Sequence, residues 1–243
     1  MYNTYSSVKV DLEAGGTTLF PGLSHAENDL RWGFIRKVYA ILSAQILLTT
    51  LVSAITVLYT PLNHLLFGTS WLLLLFIILP LILIWPLTIY HQKHPVNFIL
   101  LGLFTICMSV TIGVVCAKTE AKIVLEALIL TSAVVAGLTG YTFWAAKKGK
   151  DFSFLGPILS ASLTVLIIAG FIQISFPLGP ISLAIYSVLG AVVFSAYIVY
   201  DTDNLIKRHT YDEYILASVM LYLDIINLFL EILRLLRLMQ SGN

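Results

Sequence analysis

Long apolar segments separated by short polar connectors dominate the chain from residue 37 onward. A transmembrane helix needs roughly 20 successive apolar residues, because the hydrocarbon core of a bilayer is about 30 Å thick and a helix rises about 1.5 Å per residue. The segments that meet this length are 37–59, 70–90, 96–116, 122–145, 153–176, 181–206 and 213–236. The pattern predicts an all-α integral membrane protein with seven transmembrane helices.

The start of the chain has a different character. Residues 1–30 mix Gly, Ser, Thr and charged side chains without periodicity, which predicts a mobile cytosolic tail rather than a folded segment. Residues 31–243 are therefore expected to form one membrane domain. Asn28 or Asp29 is the expected cap of the first helix, because both residue types accept hydrogen bonds from the first free backbone N–H groups.

Composition agrees with a membrane protein. Hydrophobic residues make up 58% of the chain and charged residues 11%, against roughly 25% charged in soluble domains. No cluster of basic residues suggests a nucleic-acid partner. Cys107 and Cys116 fall in one apolar segment without a metal or redox spacing, so we interpret them as small buried apolar residues. The lipid bilayer is the partner that composition predicts.

The distribution of lysine and arginine predicts the orientation, because short cytosolic connectors accumulate these residues. With the N-terminus in the cytosol, ten of them fall on the cytosolic side and four on the other. We therefore expect a cytosolic N-terminus. Seven full spans would place the C-terminus on the opposite side, whereas a half-buried last segment would return Arg234 and Arg237 to the cytosol.

Ionisable residues inside predicted spans are costly and usually functional. They are Glu126, Asp201, Asp203, Asp224, Glu231 and Arg234. Asp203 has a structural explanation, because Lys207 follows it by four residues in the favourable order. Asp201 has no such partner on its own helix. Asp224 lies about 16 Å into the last segment, near the middle of the bilayer, where a neutral carboxyl bonded to a backbone carbonyl is the structural alternative.

Asp201 and Asp224 are expected to face each other. The connector between the last two segments is short, so these helices should be antiparallel neighbours, and the two aspartates are symmetric about residues 212 and 213. Two carboxylates within a few ångströms cannot both ionise cheaply and would share one proton. The pair therefore predicts a pH-sensing or proton-handling site.

Further polar residues extend this site along the last helix. Asn227 and Glu231 follow Asp224 at three and seven residues, which makes one polar stripe and predicts a helix that lines an ion path. Glu126 would lie near the non-cytosolic face of the fourth helix. It either guards the far mouth of the path or pairs with Lys122 four residues before it.

Enzymatic chemistry is not indicated. Paired intramembrane aspartates also occur in presenilin-type proteases, but Leu221, Tyr222 and Leu223 stand where those enzymes carry Gly-x-Gly before the second aspartate. His91 and His94 flank a proline-terminated loop without a third metal ligand nearby. The sequence contains no glycine-rich phosphate loop. We expect neither an enzyme nor a bound cofactor.

Several stretches resemble the Bax inhibitor motif family of small membrane proteins. They are AYIVYDTDNLIK, YILASVMLYLDIINLFLEILRLL and VLEALILTS, whereas DLRWGFIRKVYAILSAQILLTT and HPVNFILLGLFT are similar to the Lifeguard branch, in a plant-like form. The resemblance covers about residues 29–238. It implies seven helices with the last one central among the other six, an endomembrane location and a pH-sensitive calcium leak. It also implies suppression of stress-induced cell death.

Residue by residue, the family's paired aspartates match Asp201 and Asp224, and its recurring glutamate matches Glu126. Relatives use an arginine near the end of the second helix as a latch that holds one aspartate. This chain has IYHQKHPVNF there, so Lys93 or His94 would have to substitute, with looser geometry. Glu231 lies outside the family pattern.

These observations predict a calcium leak channel of the endoplasmic reticulum, Golgi or vacuolar membrane, gated by Asp201 and Asp224. The two carboxylates with Asn227 would form a weak transit site, because calcium prefers about six to eight oxygen ligands. Two alternatives stay open. One is a non-conducting regulator that binds cell-death or other membrane proteins, and the other is a calcium/proton exchanger.

Overall fold

The chain forms seven α-helices within the part that the computed structural model describes, residues 18–59, 61, 70–176 and 179–241. All seven are long and apolar enough to cross a membrane, and the described residues include no strand. The helices are α1 (His25–Leu58), α2 (Ser70–Tyr90), α3 (Val96–Ala117), α4 (Ala121–Lys147), α5 (Leu155–Ser175), α6 (Pro180–Lys207) and α7 (Tyr214–Ser241). The predicted fold class is confirmed.

The start of α1 corrects the boundary predicted from the sequence. Helix α1 begins at His25, inside the segment expected to be a tail, because Ser24 and Glu27 form a capping box. Asn28 lies within the helix and accepts a hydrogen bond of 2.9 Å from the Leu19 N–H. Leu19 itself is buried in the core, and Phe20 and Leu23 pack against it, so the segment directly before α1 is anchored to the bundle. Residues 1–17 of the predicted tail lie outside the described residues.

Helix α7 is the most buried of the seven. In its most apolar stretch 61% of the residues are buried, against 50% in α3 and at most 22% in the other five. Its main neighbours are α1, α3, α4 and α6, whereas α2 packs on α3 and α5 packs on α6. The last helix is therefore central, as expected, but four helices rather than six form its main surroundings.

Hydrogen-bonded side chains join three of these helices inside the bundle. The hydroxyl groups of Thr49 in α1 and Tyr222 in α7 lie 2.8 Å apart, and the Ser109 hydroxyl of α3 donates to Thr49 over 3.2 Å. One helical turn earlier in both helices, the Gln45 side chain of α1 donates to the Thr105 hydroxyl of α3. Interhelical polar contacts of this kind hold membrane helices together where hydrophobic driving force is absent.

Two glycines, Gly113 and Gly190, allow close approach between helices. A Cβ atom on Gly113 would lie 2.7 Å from Thr56 Cβ, so Gly113 allows α3 to approach α1. A Cβ atom on Gly137 or Gly140 in α4 would face open space, so these two glycines do not serve this purpose. Gly190 in α6 does lie against α7, where it contacts the side chain of Glu231.

Candidate functional site

Asp201 of α6 and Asp224 of α7 come together inside the bundle. Their carboxyl groups are in hydrogen-bonding contact, and their residues are only 8% and 6% exposed. The turn between Lys207 and Tyr214 reverses the chain, so the two helices run antiparallel with these residues at the same depth. Two ionised carboxylates in such close contact repel each other, whereas one shared proton lets one carboxyl group donate a hydrogen bond to the other.

The surroundings of the pair are asymmetric. Asp201 also contacts the Asn204 side chain and lies near the His209 imidazole. The Oδ2 atom of Asp224 is buried and meets no donor group among the described residues. Tyr197 lies close to both carboxyl groups. The pair is therefore better supplied with polar partners on the side of Asp201, towards the α6–α7 turn.

A cavity of about 820 Å³ between α5, α6 and α7 contains this pair. Apolar side chains of α5, including Leu163 and Leu166, form one wall, and α6 and α7 supply the polar groups. The polar lining residues are Asp201, Asn204, Arg208, His209, Glu213, Asp224, Asn227, Glu231 and Arg234. Along the chain these polar residues extend from the end of α6, through the α6–α7 turn, to Arg234 of α7.

At the end near the turn, the cavity is bordered by charged residues. His209 Nδ1 lies 3.1 Å from a Glu213 carboxylate oxygen, which also accepts a 2.8 Å hydrogen bond from the Thr210 N–H. The Thr210 N–H and, after it, His209 hold the pKa of Glu213 below its ordinary value, against the opposing effect of burial. Arg31 of α1 donates to the His209 carbonyl, so the turn is fixed to a second helix.

At the opposite end, Arg234 pairs with Glu231. Arg234 Nη1 lies 2.8 Å and 3.1 Å from the two carboxylate oxygens, and the arginine carbon Cζ lies 5.5 Å from the centre of the Tyr186 ring. Asn227 lies between this pair and Asp224 and donates to the Leu223 carbonyl of its own helix. The polar stripe predicted on the last helix thus faces the cavity.

Comparisons with known proteins place these features in a family. The family model described as "Inhibitor of apoptosis-promoting Bax1" matches residues 31–242. This chain belongs to the Bax inhibitor family. It is 69% identical to the BI1-like protein of Arabidopsis thaliana over 94% of this chain and 90% of the relative. It is 54% identical to Protein LIFEGUARD 2 of the same plant, over 96% and 98% of the two chains.

A more distant relative carries a functional description in its name. The Golgi anti-apoptotic protein of Vaccinia virus (strain Lister) is 38% identical over 95% of this chain and 94% of its own length. Family membership therefore extends from plant Lifeguard proteins to a viral protein with an anti-apoptotic name. The resemblance to the Lifeguard branch predicted from the sequence is confirmed.

Three of the predicted site residues, Glu126 and the latch candidates Lys93 and His94, lie outside the lining of the aspartate cavity. Glu126 does not line the aspartate cavity; its carboxylate lies 3.9 Å from the Lys122 ammonium, so of the two roles considered the structure has the surface pair. Lys93 lies over the Tyr90 ring at 5.2 Å, and the His94 ring packs edge-on against an aromatic neighbour. Neither lines the aspartate cavity, so neither occupies the position of the expected latch.

Asp203 has the structural role predicted for it and two partners that were not predicted. Its side chain is fully buried and accepts hydrogen bonds from Lys207, from Arg208 at 3.0 Å and from the Phe152 N–H at 3.2 Å. Arg208 and Lys207 also contact Asp151 in the α4–α5 connector. This cluster ties the connector to the end of α6, two residues after Asp201.

Sequence reasoning missed Arg208 and His209 as parts of the site. Their position directly after a predicted span suggested only loop charges that report orientation. Because the α6–α7 turn folds back over the cavity, both residues line it together with Asp201 and Asp224. Among the described residues, no three His, Cys, Asp or Glu side chains converge as a cluster that could hold a metal ion. Asp201 and Asp224 therefore offer two carboxylates rather than a complete binding site.

Proposed function

We propose that this protein is a calcium-permeable leak channel whose conductance follows the protonation state of Asp201 and Asp224. The observation that carries the proposal is the contact between these two buried carboxyl groups inside a cavity of about 820 Å³. Charged groups inside a membrane domain are costly, and they are retained where they line an ion or proton path.

The donor set suits a transported calcium ion better than a resident one. Calcium takes about six to eight oxygen ligands, whereas Asp201, Asp224 and the Asn227 amide supply only part of that number. Water within the cavity would supply the rest. A site of this kind binds weakly, which a passive leak requires because the ion has to leave again.

Proton binding offers a direct control of this path. One proton on the pair reduces its charge and leaves the carboxyl groups hydrogen-bonded to each other, whereas its release leaves two repelling carboxylates that a divalent cation neutralises. Calcium and protons thus compete for the same oxygens. The leak is therefore pH-dependent.

The cellular role follows from where the leak operates. We place the protein in an endomembrane such as the endoplasmic reticulum, Golgi or vacuolar membrane, with its N-terminus in the cytosol, in line with the name of its viral relative and the basic connectors. A leak there lowers stored calcium and so suppresses cell death under stress. No enzymatic activity or cofactor is part of this proposal; calcium and lipid are its partners.

The test is calcium flux into proteoliposomes across a range of pH. Wild type is expected to conduct calcium in a pH-dependent manner without any proton gradient, and Asp201→Asn is expected to alter that pH profile. Uphill calcium movement driven by a proton gradient would replace the leak by an exchanger. If wild type passes no calcium at any pH yet protects cells from stress, the protein is a non-conducting regulator that acts through membrane or cell-death proteins.

A further inference from the structure

The cavity ends at a fixed group of side chains from α6 and α7. We call Tyr186, Ser187, Gly190, Glu231 and Arg234 the far-end layer. Glu231 is 7% exposed, and its carboxylate receives both hydrogen bonds from Arg234 described above. The Arg234 side chain is 37% exposed, so the guanidinium group lies between the buried carboxylate and the outside of the bundle.

Helix α6 holds the Glu231 side chain in place. A Cβ atom on Gly190 would lie 2.9 Å from Glu231 Cγ and 3.0 Å from Cδ, so the absence of a side chain at position 190 makes the space for the glutamate. The buried Ser187 hydroxyl lies near the carboxylate from the preceding turn of α6, without a hydrogen bond to any described residue. The Tyr186 ring supports the guanidinium. The charge pair is thus anchored from both helices.

The far-end layer lies between the aspartate pair and one exit of the cavity. Glu231 lies seven residues after Asp224, and Arg234 lies ten residues after Asp224. These separations correspond to about 10 Å and 15 Å along the helix. Half of the hydrocarbon thickness is also about 15 Å. With Asp224 near the middle of the bilayer, Arg234 lies near its edge. A cation that leaves the aspartate pair in this direction passes Glu231, whose carboxylate already holds an arginine.

We propose that Arg234 is a tethered cation that occupies the Glu231 carboxylate, and that this pair is the second gate of the path. The inference rests on the proposed function. A permeating divalent ion displaces the guanidinium from Glu231, and Tyr186 receives the displaced group through its ring face. The competition keeps the leak small, because the intramolecular cation is always present at the carboxylate.

This competition predicts opposite effects for the two partners. Arg234→Gln removes the competing cation and leaves Glu231 free, so calcium flux should rise about tenfold, the equivalent of 1.4 kcal/mol. Glu231→Gln removes the ion-binding carboxylate and leaves an unpaired arginine in the path, so flux should fall by about the same factor. A purely structural pair gives the same sign in both variants, since each one breaks the same ion pair.

Arg237→Gln is the matched control. Arg237 lies one turn beyond Arg234 on α7, is exposed and does not line the cavity, so its loss removes the same charge from the same helix end. Flux through this variant should equal that of wild type. An equal rise in Arg234→Gln and Arg237→Gln would assign the effect to surface charge and overturn the proposal, as would equal signs for Arg234→Gln and Glu231→Gln.

A binding measurement separates this inference from the proposed function. Calcium added to detergent-purified protein should raise the melting temperature of Arg234→Gln more than that of wild type, and that of Glu231→Gln less than that of wild type. This pattern in a protein that conducts no calcium would refute the leak and retain the competition at Glu231. Flux in wild type with identical calcium responses in all variants would retain the leak and refute the far-end gate.

Discussion

Replacement of Asp203 by asparagine is expected to destabilise the protein without removing its pH response. The Asp203 side chain is fully buried and accepts hydrogen bonds from Lys207, Arg208 and the Phe152 N–H. Asparagine has nearly the same shape, but its amide carries no charge and one of its two terminal groups is a donor. The substitution therefore leaves two cations facing a neutral group inside the protein.

The expected cost follows from how buried each partner is. Removal of one partner from a buried ion pair costs about 3–5 kcal/mol. The lower value applies here, because Lys207 still contacts the Lys150 carbonyl, and Arg208, whose side chain is 36% exposed, keeps Asp151. A loss of about 3 kcal/mol lowers the melting temperature of a chain of this size by about 6–12 °C.

Thermal unfolding of the detergent-purified protein, followed by tryptophan fluorescence, measures this change. Asp151→Asn is the control, since Asp151 contacts the same two cations but its side chain is 53% exposed. Exposed ion pairs contribute about 0–1 kcal/mol, so the control should shift by only a few degrees. Equal shifts in the two variants, or an unchanged melting temperature in Asp203→Asn, would refute the assignment of Asp203 as a buried anchor.

Two further predictions concern packing and acid stability. Gly113→Ala should lower the melting temperature, because the new Cβ atom would lie 2.7 Å from a side-chain carbon of α1. Overpacking of this kind costs about 1–3 kcal/mol. Gly102→Ala is the control: its Cβ atom would meet nothing within 4 Å, so the melting temperature should stay the same or rise. Arg208 and Ser153 hold the pKa of Asp151 below its ordinary value. The ionised Asp151 carboxylate therefore gives its full contribution to the free energy of unfolding above about pH 4, and this contribution is lost as the pH falls further. Acid unfolding curves of Asp151→Asn should lack this pH-dependent loss of stability.

The helices could be predicted because apolar runs of bilayer length are unambiguous in this chain. The exception is the start of α1, which the first apolar residue does not mark. Ser24 and Glu27 have the spacing of a capping box, and that signal was readable in the sequence. It lies in a polar stretch, where a search for apolar residues gives no reason to look for a helix.

The central pair could be predicted for a geometric reason. A short turn between antiparallel helices fixes which residues share a depth, and that was sufficient to place Asp201 beside Asp224. The wall of the cavity could not be predicted, because the hydroxyl groups in the middle of α5, those of Ser162 and Thr164, donate to carbonyls of their own helix and so do not indicate its neighbour. The contact of Arg208 with Asp151 also depends on tertiary packing. So does the contact of Gly190 with Glu231.

The pH dependence of calcium flux in Asp224→Asn tests the central claim most directly. Asparagine preserves the size of the side chain but cannot share a proton with Asp201, so the pair no longer changes charge as a unit. Wild-type proteoliposomes should show calcium flux that varies with pH, and the variant should show flux of altered size with little dependence on pH. An Asp224→Asn protein with wild-type flux and a wild-type pH profile would contradict the proposal that Asp201 and Asp224 gate the path.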